Sequence, residues 1–282
     1  FQAEDGIRDS VASRGLGDVY KRQIFNMFLS KAKQNKQIIS WSFYDFANQP
    51  YTTLIITFIY SAFFVNYIAP NEIEGTFLWA NAISITAIIV AFLSPLLGAF
   101  ADETGYRKFF LVFFTLLCSL FTALLYFPEK GDLSLAIAFV IISNIAFEMG
   151  CVFCNSYLKE LSNDNAKSED ALIHAIKNYE VNFDKISARG YSFGYVGSVI
   201  LLIVCLILIQ SFEFFGFETS KEATKFTFLL VGIWWIFFAQ ITLYYLEETS
   251  KKIVLNRTIS VSYTHLRAHE TLRYLVCRLL LE

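Results

Sequence analysis

The chain has 282 residues and a net charge of −2, with 55% apolar and only 17% charged residues. Soluble domains average about 25% charged residues, so this composition excludes an ordinary water-soluble protein. The absence of a net positive charge also argues against a nucleic-acid partner. We therefore expect a lipid bilayer to surround most of the folded chain.

The two ends of the chain differ in character from the rest. Residues 1–23 and 261–282 resemble translated adapter sequence, and we expect both to be foreign to residues 24–260. Gly15 and Gly17 therefore do not indicate a phosphate loop. His265 and His269 have metal-ligand spacing, but no third ligand accompanies them. We expect no metal, no cofactor and no enzymatic site.

Long uncharged stretches fill residues 24–260. A membrane-spanning helix needs about 20 mostly apolar residues. The sequence therefore predicts an all-α membrane protein with six transmembrane helices and a connecting loop over residues 159–189. The predicted spans lie near residues 40–69, 77–101, 109–127, 133–158, 190–210 and 226–246.

The first span carries an unusual polar group of residues. An ionised side chain in a span is costly and usually has a function, which makes Asp45 a candidate site residue. Pro50 predicts a kink or break near Asn48 and Gln49, which either frees backbone carbonyls for a binding site or serves helix packing alone. Capping or anchoring of the helix start by Asp45 is the alternative. Trp41 is predicted to anchor the span at the membrane interface.

The turn between the second and third spans has a distinctive pattern. Gly98 is expected to allow close helix approach, and Gly105 a tight turn between helices. Asp102 and Arg107 predict a charge pair at the membrane surface, followed by Lys108. An ordinary charged turn is the alternative interpretation.

The fourth and fifth spans add further candidates. Glu148 lies about 15 Å from the nearer end of its span and Asp45 about 9 Å, at 1.5 Å per residue. Asn144 lies one helical turn before Glu148. Pairing of Glu148 with Arg189 or Lys185 is the alternative to a transport role. The fifth span has a small-residue face for close packing, formed by Gly190, Gly194 and Gly197.

The basic residues are distributed unequally between the two sides of the predicted bundle. Lys and Arg favour the cytoplasmic side of a membrane protein. We therefore expect both ends of residues 24–260, and the 159–189 loop, to be cytoplasmic. The richer side holds Lys31, Lys33, Lys36, Arg107, Lys108, Lys159, Lys167, Lys177, Lys185, Arg189, Lys251, Lys252 and Arg257, and the other side holds Lys130, Lys221 and Lys225.

The Gly98 to Lys108 loop resembles the signature loop of the major facilitator superfamily, although Glu103 replaces a usual Arg and Tyr106 a basic residue. With residues 41–51, 144–160 and 187–197, the chain looks like the vacuolar amino-acid effluxer branch, which is related to autophagy proteins. The resemblance implies the N-terminal six-helix half of a twelve-helix transporter in a bacterial inner membrane. Its implied partners are a missing C-terminal half and a small solute.

The resemblance also implies how the site works. In this superfamily the first and fourth helices line the central cavity, so Asp45 and Glu148 would share it. Glu148 would exchange protons, Asp45 would contact solute or a neighbouring Arg, and the Gly98 to Lys108 loop would gate. The implied mechanism is alternating access. A non-transporting sensor or scaffold that uses the 159–189 loop is the second hypothesis.

Overall fold

The computed structural model describes residues 33–161 and 171–246. Residues 1–23 and 261–282, with Gly15, Gly17, His265 and His269, lie outside this part. Six helices in it are long and apolar enough to cross a membrane, which confirms the predicted fold class. They are α1 (Lys33–Ile68), α2 (Glu72–Thr104), α3 (Arg107–Leu124), α4 (Leu133–Ser156), α5 (Ala171–Gln210) and α6 (Ser220–Tyr245).

Short connections make successive helices antiparallel. We call the end of the bundle where α1 begins the proximal end and the opposite end the distal end. At the proximal end, Gln34 of α1 donates to the carbonyl of Leu161 in a one-turn helix after α4, at 3.0 Å. At the distal end, the Gly131 N–H donates to the carbonyl of Ile68 at 3.1 Å.

Local sequence explains where the helices begin and end. The Asn71 side chain accepts a hydrogen bond from the Glu74 N–H at 2.9 Å and so caps the start of α2. Thr219 caps α6 in the same way through the Glu222 N–H, at 3.3 Å. Gly105 ends α2 with a φ of 73°, a left-handed conformation that glycine adopts without strain.

Helix α5 begins earlier than the sequence predicted. The 159–189 segment was expected to be a loop, whereas the chain is helical from Ala171 onward. No Gly or Pro occurs between Ala171 and Arg189. The helix therefore begins well before the apolar stretch of the fifth span, because nothing in the sequence interrupts it.

Helix α1 packs against several other helices through buried hydroxyl contacts. The Tyr44 hydroxyl lies 3.1 Å from the Thr115 hydroxyl of α3. The Tyr51 hydroxyl lies 2.9 Å from the Ser143 hydroxyl of α4. Thr242 of α6 donates to the Ser40 carbonyl at 2.7 Å. Such contacts suit a bundle in lipid, where small residues and interhelical hydrogen bonds replace the hydrophobic driving force.

Candidate functional site

Asp45 lies on the face of α1 that packs against α5. A Cβ atom added at Gly190 would meet the Asp45 Oδ2 atom and, at 2.7 Å, the Trp41 ring. A Cβ at Gly194 would lie 3.1 Å from the Gln49 Cβ, and one at Gly197 would lie 2.5 Å from the Phe46 carbonyl oxygen. The three glycines therefore form the close-packing face that the sequence predicted. Asp45 and Gln49 both lie along this contact.

Trp41 is buried rather than interfacial. Its side chain is 2% exposed, and its Nε1–H donates to the Cys154 carbonyl of α4 at 2.8 Å. The prediction of an interface anchor is wrong, because the indole packs between α1, α4 and Gly190 of α5. Trp41 thus helps to fix the proximal half of α1, from which Asp45 projects one turn later.

Asn48 is a buried amide with an unused acceptor. Its side chain is 1% exposed, and its Nδ2 atom lies 3.5 Å from the Cys151 sulfur of α4. The Asn48 Oδ1 atom is buried and has no hydrogen-bond partner in the part of the chain that the structure describes. The same is true of the Thr52 hydroxyl, one turn further along α1. Two polar side chains of α1 thus have unused hydrogen-bonding capacity.

Cys151 of α4 contacts the part of α1 that carries Asp45. Its sulfur lies 3.5 Å from the Asn48 Nδ2 atom, and Asn48 follows Asp45 by three residues. Glu148 precedes Cys151 by three residues on α4, so the two side chains share a helix face. Asn48 and Glu148 therefore lie on helix segments that meet between α1 and α4, and Asp45 lies one turn before Asn48, where it also borders Gly190 of α5.

Neither carboxylate is paired with a cation among the described residues. Asp45 and Glu148 are half-buried, and no hydrogen bond or ion pair involves either of them there. The proposed Glu148 pairing with Arg189 or Lys185 is absent from the described part, where both basic side chains are exposed on α5. Asp45 does not cap the helix start, because α1 is already helical from Lys33.

Asn144 lies on the same face of α4 as Glu148, one turn towards the distal end. Its side chain is 6% exposed. It follows Ser143, whose hydroxyl meets Tyr51, and the Tyr51 ring stacks on Phe147 with centroids 5.1 Å apart. Packed aromatic rings therefore bound the polar region on its distal side.

Pro50 frees a backbone carbonyl, but α6 occupies it. Proline lacks an N–H, so the Phe46 carbonyl has no donor four residues later. The Trp234 Nε1–H of α6 donates to that carbonyl at 3.2 Å. A π-helical segment follows directly, over Tyr51–Phe58. The chain is thus helical through Asn48 and Gln49, with no break there, and changes helix type only after Pro50, while the freed carbonyl takes part in packing between α1 and α6.

The predicted gating loop lies at the proximal end between α2 and α3. A Cβ at Gly98 would meet no atom within 4 Å, so no helix of the described part approaches closely there. Lys108 donates to the Leu246 carbonyl at the end of α6, at 2.7 Å. The Arg107 guanidinium lies 5.8 Å from the Tyr157 ring centre. The Asp102 side chain lies outside the described part, and with it the predicted Asp102–Arg107 pair.

Sequence reasoning missed most of the hydroxyl contacts that hold these helices. The Ser119 hydroxyl donates to the Gly232 carbonyl, and a Cβ at Gly232 would lie 2.8 Å from the Ser119 carbonyl. This contact joins α3 and α6. Hydroxyl residues in an apolar stretch are the signal for such contacts, but the partner becomes visible only once the helices are placed. The described residues contain no group of three or more His, Cys, Asp or Glu side chains able to hold a metal ion.

Comparison with known proteins agrees with this architecture. The sequence profile of the family described as "Vacuole effluxer Atg22 like" matches residues 63–277, most of the chain. The chain belongs to this family. The matched range includes residues 261–277, which the sequence analysis set apart as foreign. No solved structure matches the chain.

Individual relatives include one protein that is named as a transporter. The chain is 28% identical over 205 residues to the uncharacterized MFS-type transporter YxiO of Bacillus subtilis, covering 71% of the chain and 44% of YxiO. It is 24% identical to Autophagy-related protein 22 of Coccidioides immitis, covering 62% of the chain and 34% of that protein. An uncharacterized protein of Aquifex aeolicus is 32% identical over 54% of the chain and 34% of its own length. The chain thus spans less than half the length of these relatives.

Proposed function

We propose that the chain is one half of a secondary active transporter of the major facilitator type, which moves a small solute. The observation that carries this proposal is the placement of Asp45 and Glu148 on segments of α1 and α4 that meet at the 3.5 Å contact between Asn48 and Cys151, with no cation bound to either acid in the described part. Intramembrane acids usually face a water-filled or ligand-filled space. Membership of a family named for vacuole effluxers supports the proposal.

The two carboxylates have separate roles in this proposal. Glu148 takes up and releases the coupling proton, since it lies deeper along its span than Asp45. Asp45, with Asn48 and Gln49, contacts the solute, because these residues lie together on α1. Asn144 extends the pathway by one turn of α4. Resemblance to amino-acid effluxers makes amino acids the first solutes to test.

A second six-helix unit completes the proposed transporter. The apolar span of α2 is almost wholly exposed. Exposed polar side chains on it, Asn81 and Ser84, bond only to carbonyls of their own helix, at 2.9 and 2.8 Å. Gly98 on the same helix has open space beside it. The matched relatives are more than twice as long as the matched part, and alternating access requires two units that move against each other around the site.

The proposed location is a bacterial inner membrane, with the proximal end in the cytoplasm. The excess of Lys and Arg at that end supports this orientation. The proximal loop between α2 and α3 then lies on the cytoplasmic side. A reporter fused after Asn71 should accordingly be exported. A cytoplasmic reporter signal there would contradict the orientation.

A sensor or scaffold without transport activity is the second candidate. It would use the 159–189 segment as its contact surface, and the extension of α5 beyond the apolar stretch gives that segment a helical part. A scaffold has no need for uncompensated acids between helices. The placement of Asp45 and Glu148 therefore favours the transporter.

Solute flux tests the proposed function. Proteoliposomes that contain the complete transporter, with both halves, are loaded with labelled amino acids, and release is followed under an imposed proton gradient. We expect gradient-dependent release and at least a tenfold loss in Asp45→Asn. Glu213→Gln, an exposed acid between α5 and α6 and outside both the α1–α4 region and the gating loop, is the matched control. Release that is unaffected by both the gradient and Asp45→Asn would contradict the proposal.

A further inference from the structure

A charged cluster at the distal end lies far from the proposed site. Glu129, in the connection between α3 and α4, binds two lysines of α6. Lys221 Nζ lies 2.8 Å from Glu129 Oε2, and Lys225 Nζ donates to Glu129 Oε1. The two lysines are four residues apart and so share one helix face. One carboxylate thus uses both of its oxygens to bind the first turns of α6.

Two tyrosine rings complete the cluster. The Lys225 ammonium lies 5.1 Å from the ring centre of Tyr126, and the Lys221 ammonium lies 5.8 Å from that of Tyr67. Both distances lie within cation–π range. Lys225 is only 8% exposed, so its charge depends on these neighbours for compensation. Tyr67 belongs to the last turns of α1, which brings a third helix into the cluster.

A backbone contact ties α1 to the same connection. The Gly131 N–H donates to the Ile68 carbonyl, at the end of α1, at 3.1 Å. Gly131 has a φ of 98°, a conformation that favours glycine. The Asp132 side chain accepts from the Glu129 N–H at 3.0 Å and so shapes the turn between these two contacts. The conformation of this turn therefore helps to determine where the end of α1 lies.

We propose that Glu129 is a positioning residue that fixes the distal end of α1 against α3 and α6. We call the group Glu129, Lys221, Lys225, Tyr67 and Tyr126 the distal clamp. The Glu129 carboxylate holds both lysines of α6, and Lys221 in turn lies over the Tyr67 ring of α1, so neutralising Glu129 loosens the α1 end as well as the start of α6. Any effect of the distal clamp on solute movement rests on the proposed function, since α1 carries Asp45 and Asn48. The clamp itself does not depend on transport.

Hydrogen exchange measured by mass spectrometry tests the clamp without any transport assay. The full 282-residue chain is placed in lipid nanodiscs, and Glu129→Gln is compared with the unmodified protein. We expect about two- to fivefold faster exchange in peptides covering residues 126–133, 220–225 and 64–68, from the loss of charge-assisted hydrogen bonds. Glu213→Gln is the matched control, because this exposed distal acid belongs to no ion pair of the described part.

The exchange rate at the end of α1 distinguishes the proposed clamp from an effect confined to the turn that contains Glu129. If exchange rises only in residues 126–133, Glu129 orders its own turn and the proposal is overturned. Unchanged exchange everywhere would overturn it as well. Lys221→Gln is the second variant, which removes the ammonium over the Tyr67 ring and should also accelerate exchange in residues 64–68. Hydrogen exchange can be measured even if the protein transports no solute. The experiment can therefore contradict the proposed clamp without contradicting the proposed transporter, and the reverse.

Discussion

Gly190 of α5 lies directly against Asp45 of α1, so that a single added methyl group would meet the Asp45 carboxylate and the Trp41 ring. The absence of a side chain at Gly190 allows the acid to lie between the two helices. Gly190 thus both allows the two helices to pack closely and leaves room for the Asp45 carboxylate. It makes the α1–α5 interface sensitive to side-chain volume.

Gly190→Ala should destabilise the bundle by about 1–3 kcal/mol, because the methyl group overpacks a close helix contact. Thermal or denaturant unfolding in detergent measures the effect. Gly98→Ala is the matched control, since a Cβ there meets open space and alanine favours a helix by up to about 1 kcal/mol. Equal effects of the two substitutions would contradict the described contact.

Trp234→Phe should cost about 0.5–1.5 kcal/mol of unfolding free energy, because the Phe46 carbonyl loses its donor. In a Pro50→Ala background the cost should fall, since residue 50 then supplies an N–H to that carbonyl. A double-mutant cycle measures this coupling. Strictly additive effects would show that Trp234 contributes through ring packing alone.

Asn48→Leu should leave folding stability unchanged or raise it, because it removes a buried acceptor without a described partner. Solute flux should fall at least tenfold. Thr115→Val provides the opposite case. It leaves the buried Tyr44 hydroxyl without its partner and should cost about 1–3 kcal/mol while flux per folded molecule persists. A large stability loss in Asn48→Leu would indicate a structural role.

The distal clamp predicts a pH dependence of stability. Hydrogen bonds from Lys221 and Lys225 lower the pKa of Glu129 below its usual range. A lowered folded-state pKa stabilises the protein above the unfolded-state pKa of about 4.3, and the stabilisation is lost as pH falls through the folded-state value. With the Glu129 side chain 54% exposed, solvent screening limits the effect to under about 1 kcal/mol.

Unfolding of the unmodified chain and Glu129→Gln, measured from pH 7 to pH 3, tests this dependence. The stability difference between them should shrink as pH falls through the acidic range. The other charged or titratable groups at the clamp are Lys221, Lys225, Tyr67 and Tyr126, with Asp132 in the same turn. A difference that stays constant over the whole range would exclude the ion pairs as its source.

The sequence was sufficient for the number and approximate position of the helices, because lipid imposes a minimum length of apolar residues. It gave the wrong environment for Trp41, since hydropathy does not show that another helix covers the ring. It did not locate the start of α5, because helix-forming polar residues extend the helix beyond its apolar part.

The site was partly visible in the sequence. Asp45 and Glu148 are conspicuous as acids within apolar stretches, and the helix segments that carry them meet at the contact between Asn48 and Cys151. Their lack of a cation partner, and the unused Asn48 acceptor, depend on which helices face each other. The capture of the Phe46 carbonyl by Trp234 likewise depends on α6, which lies far away in the sequence. Local patterns carry no information about such pairings.

The most direct test of the proposed mechanism is the pH dependence of solute flux in Glu148→Gln, compared with the unmodified complete transporter in proteoliposomes. Glu148 is proposed to carry the coupling proton, so the amide variant should lose gradient-driven accumulation while counterflow exchange of solute persists. Flux that keeps both its gradient dependence and its pH profile in Glu148→Gln would contradict the account.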